Sequence, residues 1–166
     1  MVALVSQPDT SIMTLRAECQ GRLTDIPALS AAVEAFCLAC GAGPHLAHKL
    51  VLGLEELLTN LALHGTPAAG PLGPAPEDAA HRVTVAVARE RSRLVAIYED
   101  SGAAFDPLSV PTPDLEQPLA MRPVGGLGVY LVRALMDEVT YARVNERNRV
   151  TLVLIIPGHP LVEVCT

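Results

Sequence analysis

Glu56, Asn60 and His64 recur every four residues, so on a helix they form one polar stripe. The amide oxygen of Asn60 is the kind of donor that a hard Mg²⁺ ion takes. The Glu56 carboxylate, one turn earlier, could orient or deprotonate a hydroxyl nucleophile, and His64 extends the stripe by another turn. The exposed face of an ordinary amphipathic helix would carry the same pattern. Asp100-Ser-Gly102 closes a stretch that alternates like a strand. A carboxylate there can accept a hydrogen bond from an exocyclic amine such as adenine N6, and Gly102 would let the backbone approach a flat base. A plain Asp-x-Gly turn has the same letters. Gly125-Gly126-Leu127-Gly128 precedes an apolar segment of helical period. Glycines ahead of a helix present backbone N–H groups, and the helix dipole favours an anion there. The turn is thus either a phosphate seat or a flexible lead into a helix. Arg122 could reach such a phosphate or stay in solvent. Neither the G-x-G-x-x-G spacing nor a Walker lysine is present. In this order, the three stretches point to a nucleotide site built without a Walker loop.

The elements that must position these residues follow from periodicity. Residues 11–18 alternate as a strand. Thr24-Asp25 offers N-cap chemistry to a helix running to about Cys40, which Gly41-Ala-Gly-Pro44 ends. A second helix covers about Pro44 to His64, with Leu50, Leu54, Leu57 and Leu61 on its buried face. Residues 65–81, rich in Gly, Pro and Ala, form a loop insertion. Arg82 to Glu90 and Arg93 to Glu99 alternate as two strands of a hairpin turning at Arg91-Ser92. Residues 100–125 hold five prolines and little period, as in a lid over a site. A helix from Gly128 to Met136 and strands Val139 to Val144 and Arg149 to Ile156, turning at Asn145 to Asn148, complete the chain. The order β-α-α-ββ-lid-α-ββ implies an α+β two-layer sandwich, with helices on one face of a mixed sheet.

Composition sets the outer bounds. A chain of 166 residues that is 50% hydrophobic, with a mean hydropathy of +0.35, is long and apolar enough for one domain with a sizeable core. No apolar run reaches the roughly 18–20 residues of a membrane span. The opening Met-Val-Ala-Leu-Val lacks the n- and h-regions of a secretory signal, so a cytoplasmic location is expected. A net charge of −6 argues against direct nucleic-acid binding. Cys37-Leu-Ala-Cys40 has C-x-x-C form in a helical stretch, with no second Cys or His pair at metal spacing. Small buried thiols are expected there, with zinc or redox roles as the alternatives.

Taken together, Glu56-Leu-Leu-Thr-Asn60, Asp100 to Pro107 in the form D-x-G-x-x-F-D-P, the glycine turn, and Leu135-Met-Asp-Glu-Val139 resemble the N box and glycine boxes of the GHKL ATPases. They are most similar to the anti-sigma-factor serine kinase branch typified by RsbW and SpoIIAB, over roughly residues 10–157. The resemblance implies a Bergerat-type fold with an ATP pocket between helices and lid. Asn60 would hold Mg²⁺ and Glu56 would be the general base. Asp100 would read adenine beside Gly102, with Phe105 and Pro107 opening the lid. Gly125, Gly126 and Gly128, with Leu127 and Val129 around the last of them, would bracket the phosphates. Thr151 matches a family position near the adenine. Val124 stands where SpoIIAB-like members carry an arginine. The resemblance further implies a partner-switching circuit: a sigma factor as one partner, a STAS-domain anti-anti-sigma protein phosphorylated on serine as the other, and a possible homodimer. An ATP-binding regulatory module with little or no kinase activity is the alternative.

Overall fold

A computed structural model describes residues 13–65, 81–111 and 127–158. Five strands and three helices appear in it: β1 (Met13–Cys19), α1 (Ile26–Ala39), α2 (Pro44–His64), β2 (Val83–Glu90), β3 (Arg93–Asp100), α3 (Leu127–Leu135), β4 (Glu138–Val144) and β5 (Arg147–Ile155). Short 3-10 turns occupy Leu23–Asp25 and Pro107–Ser109. The α+β architecture is as the sequence implies, and three details differ.

The first is the sheet. Its order is β1-β2-β3-β5-β4, and every pairing is antiparallel rather than mixed. The connection from β3 through α3 returns the chain in the direction of β3, but the β4–β5 hairpin folds β5 into the gap between them. No two parallel strands are therefore neighbours.

The second is the hairpin turn. Asn145 and Glu146 both have positive φ, 49° and 59°, and Val144 pairs with Arg147. This is a two-residue turn of the kind whose twist suits a hairpin, shorter than the expected Asn145 to Asn148. Strand β5 therefore starts two residues early and takes in Asn148.

The third is the start of α1. Asp25 does not cap it; the carboxylate instead accepts from the backbone N–H groups of Gln20 (3.1 Å) and Arg22 (3.0 Å), holding the loop that leaves β1.

Register fixes what faces the helices. One row across the sheet reads Leu15, Val87, Ala96, Leu152, Val139; the next reads Ala17, Val85, Tyr98, Val150, Tyr141; the third reads Cys19, Val83, Asp100, Asn148, Arg143. In the first two rows the members from β1, β2, β3 and β5 are buried and join the leucines of α2 in a single core, with Cys37 and Cys40 as buried thiols within it. Burying a side chain of leucine size contributes about 1.5–3 kcal/mol, so this ladder and the α2 leucines hold the two layers together. The third row is where the apolar ladder turns polar, at one end of the sheet beneath the C-terminal half of α2. Among the described residues no helix is long and apolar enough to cross a membrane.

Candidate functional site

At that polar end, α2, β3, β5 and the chain leaving β3 enclose a cleft of about 470 Å³. The buried leucine face of α2 rotates its polar stripe toward the rim. Asn60 is half-buried and His64 exposed, and both line the cleft. Glu56 lies one turn further from the mouth, where it meets the first turn of α3. A β-carbon at Gly128 would fall on Glu56 Oε2 and lie 3.5 Å from Asn60 Nδ2. The missing side chain of Gly128 is the space that the Glu56 carboxylate occupies, and that contact places Glu56, Asn60 and Gly128 together. Val129, buried, adds to the lining, while Leu127 is exposed and stays outside it.

Asp100 ends β3 and is buried, at 6% exposure. Its Oδ1 accepts from Gly102 N (2.8 Å) and from Asn148 Nδ2 (2.9 Å), so among the described residues Oδ2 is the oxygen left to a ligand. A β-carbon on Gly102 would sit 2.9 Å from Asp100 Oδ1 and 3.2 Å from Leu61 Cδ1, so the closed turn requires glycine. Phe105 and Pro107 line the cleft next, Phe105 half in solvent at the mouth. The segment expected to lack regular structure carries the Pro107–Ser109 turn here, with Asp106 Oδ1 accepting from Leu108 N at 2.8 Å.

Asn148, which no motif of the sequence singles out, also lines the cleft. It donates to Asp100 Oδ1 and to Ala103 O, both at 2.9 Å. Its Oδ1 accepts from Phe105 N (3.2 Å), Tyr141 Oη (3.0 Å) and Arg143 Nη1 (2.8 Å). Arg143 also donates to Gly102 O at 2.9 Å. One amide thus ties the Asp100 carboxylate, the chain leaving β3 and the outer strand β4 into one network. Strand parity could have found it: Asn148, Val150, Leu152 and Leu154 alternate toward the core. The same parity moves Thr151 away. It pairs with Ile97 and Thr140 on the opposite face of the sheet and does not line the cleft. Tyr98, one row behind Asp100, is buried and does line it. Burial, helped by the Asp100 carboxylate and then Cys19, raises the Tyr98 hydroxyl well above its ordinary pKa.

Among the described residues no lysine or arginine lines the cleft. Arg122, Gly125 and Gly126 lie outside the described residues, as does Val124. The arrangement provides a deep carboxylate acceptor, a glycine that permits the close turn after it, and a carboxylate with an amide where α3 begins.

Residues 19–154 match the family model described as the histidine kinase-like ATPase domain. Over 108 residues the chain is 35% identical to the serine/threonine-protein kinase BtrW of Bordetella bronchiseptica, a stretch covering 64% of this chain and 69% of that protein. A crystal structure of the RsbU and RsbW domains of Rv1364c from Mycobacterium tuberculosis superposes with a TM-score of 0.54 at 14% identity, over 86% of this chain. That likeness is one of fold, and this chain spans 32% of that longer one.

Proposed function

Because the chain belongs to the histidine kinase-like ATPase domain family, in its RsbW-like serine/threonine-kinase branch, we propose that it is an anti-sigma factor and protein serine kinase. It would phosphorylate a serine of a STAS-type antagonist and bind a sigma factor in the alternative state. The observation that carries this is the convergence of Glu56 and Asn60 on Gly128 at one side of a cleft whose floor is the Asp100 carboxylate. A homodimer is part of the same proposal.

ATP is the substrate that fits such a cleft. Its adenine amine donates to Asp100, Gly102 lets the ring close on the backbone, and the phosphates extend toward the N-terminus of α3, where backbone N–H groups and the helix dipole favour anions. Glu56 takes the proton of the incoming serine hydroxyl as that oxygen bonds to the γ-phosphorus and the bond to the β–γ bridging oxygen breaks, releasing ADP. The donor set suits Mg²⁺. Asn60 offers an amide oxygen at the cleft wall, and its side chain has no hydrogen bond among the described residues. Mg²⁺ typically keeps waters and phosphate oxygens and takes only one or two protein ligands. When bound, it supplies charge neutralisation for the phosphates.

The kinase is tested by incubating the protein with labelled ATP and each STAS-domain protein of its own genome. Phosphoserine formed by the wild type and lost by at least about 100-fold in Glu56→Gln is expected; transfer by Glu56→Gln at the wild-type rate removes Glu56 from the role of base. The cleft's lack of a lining cation among the described residues, together with Val124, favours one second reading: a regulatory module whose partner affinity is set by ATP. Stoichiometric ATP binding with no phosphoprotein would select it.

A further inference from the structure

Three cross-strand partners stand side by side in the polar row of the sheet: Asp100 on β3, Asn148 on β5 and Arg143 on β4. They form a ladder of carboxylate, amide and guanidinium. The ion pairs among the described residues are Arg16 with Glu18 and Arg149 with Glu99, so among them Arg143 has no carboxylate partner. Its Nη1 instead donates to Asn148 Oδ1 at 2.8 Å and to Gly102 O at 2.9 Å. Asn148 Nδ2 in turn donates to Asp100 Oδ1 at 2.9 Å. The polarity of this relay is fixed by its ends. Arg143 and the Phe105 N–H can only donate, and Ala103 O can only accept, so the Asn148 amide has one orientation, with its donor on Asp100. Arg143 itself is exposed and does not line the cleft, whereas Asp100, Gly102 and Asn148 do.

Resting on the ATP site proposed above, we propose that Arg143 is a positioning residue for the base. It acts through Asn148 and the Gly102 carbonyl, without touching the nucleotide, and it strengthens the selection of the adenine amine. A carboxylate turns easily about its last bond unless its oxygens are held. Asp100 Oδ1 is held by Gly102 N and Asn148 Nδ2, which leaves Oδ2 to accept from a ligand. Both holders lead back to Arg143. The guanidinium draws on the Asn148 oxygen, which polarises the amide and strengthens its N–H toward Asp100. It also pins the peptide that follows Gly102, and so steadies the turn from which Gly102 N reaches Asp100. Arg143 therefore adds to binding only where a ligand group meets Asp100. A 6-amino purine gains from it, and a purine with hydrogen at C6 does not.

The test is titration calorimetry with ATP and with purine riboside triphosphate, which lacks the amine, on the wild type, Arg143→Met and Arg143→Lys. The wild type is expected to bind ATP about tenfold more tightly than the analogue. Arg143→Met is expected to bind ATP about tenfold more weakly than the wild type, to bind the analogue within about twofold of it, and so to lose the preference. Arg143→Lys keeps the charge, and both bonds of the arginine leave a single nitrogen, so it is expected to fall between the other two in its preference for ATP. A preference of wild-type size in Arg143→Met overturns the proposal. So does an equal loss for both nucleotides in either variant, the mark of a merely structural role. A wild type that binds ATP without preferring it overturns the reading of the amine and this proposal together. A wild type that binds neither nucleotide overturns the ATP site beneath them.

Discussion

Truncating Asn148 to alanine isolates the network that holds Asp100. The amide makes five hydrogen bonds, two as donor and three as acceptor. Some losses are compensated. Asp100 Oδ1 keeps Gly102 N, Arg143 keeps Gly102 O, and Tyr141 and Arg143 are open enough for water to replace the amide. The bond to the buried carboxylate is charge-assisted and worth about 1.5–3 kcal/mol, and the bonds to Ala103 O and Phe105 N add up to about 1 kcal/mol each at best. We expect Asn148→Ala to cost about 2–4 kcal/mol. At about 2–4 °C per kcal/mol for a chain of this size, a loss near the middle of that range lowers the melting temperature by about 6–12 °C. Urea denaturation followed by circular dichroism measures the free energy directly. Asn148→Asp sharpens the test: it conserves volume but sets a second carboxylate against Asp100 at a contact that is now 2.9 Å, so it is expected to be less stable than Asn148→Ala. A loss below about 1 kcal/mol for alanine, or aspartate more stable than alanine, would refute the network as the support of Asp100.

Three other outcomes follow from the geometry. Gly128→Ala drives a β-carbon onto Glu56 Oε2 and is expected to cut phosphotransfer by about 100-fold or more, read by phosphoserine formation, while titration shows ATP still binding. Thr151→Val, on the far face of the sheet, is expected to change ATP affinity less than twofold; a larger loss would place Thr151 at the nucleotide after all. Cys37 has its thiol pushed up to about 12 from 9.0, burial first and Cys40 second. A raised folded pKa means that the stabilisation is complete below pH 9.0 and is lost as pH rises toward about 12. Tyr98 acts with the same sign at higher pH. Urea midpoints should therefore fall through the alkaline range, and fall less in Cys37→Ala.

Much of the site could be read from the chain because its parts obey short-range rules. Four-residue spacing puts Glu56, Asn60 and His64 on one stripe of α2 beside the buried leucines, and that is where they lie. Asp100 and Gly102 fall at a strand end, as alternation from Arg93 onward required. What escaped was set by one turn. A tight hairpin at Asn145-Glu146 needs two residues at positive φ, and glutamate is a poor advertisement for that conformation. With the turn drawn longer, Asn148 fell outside the strand and its place opposite Asp100 was lost. The family resemblance points to Thr151, while the inward alternation of Val150, Leu152 and Leu154 sets it on the other face. Antiparallel pairing throughout the sheet depends on where β5 inserts, a long-range fact that no local pattern encodes.

The central proposal is that Asp100 is the base-reading carboxylate of an ATP cleft. Titration of Mg-ATP into the wild type and Asp100→Asn measures it. The substitution conserves shape and retains an oxygen for Gly102 N, but exchanges a charged acceptor for a neutral amide. One ATP per chain in the wild type and binding weaker by about 10- to 100-fold in Asp100→Asn is the expected result. Equal affinity in the two proteins would contradict it.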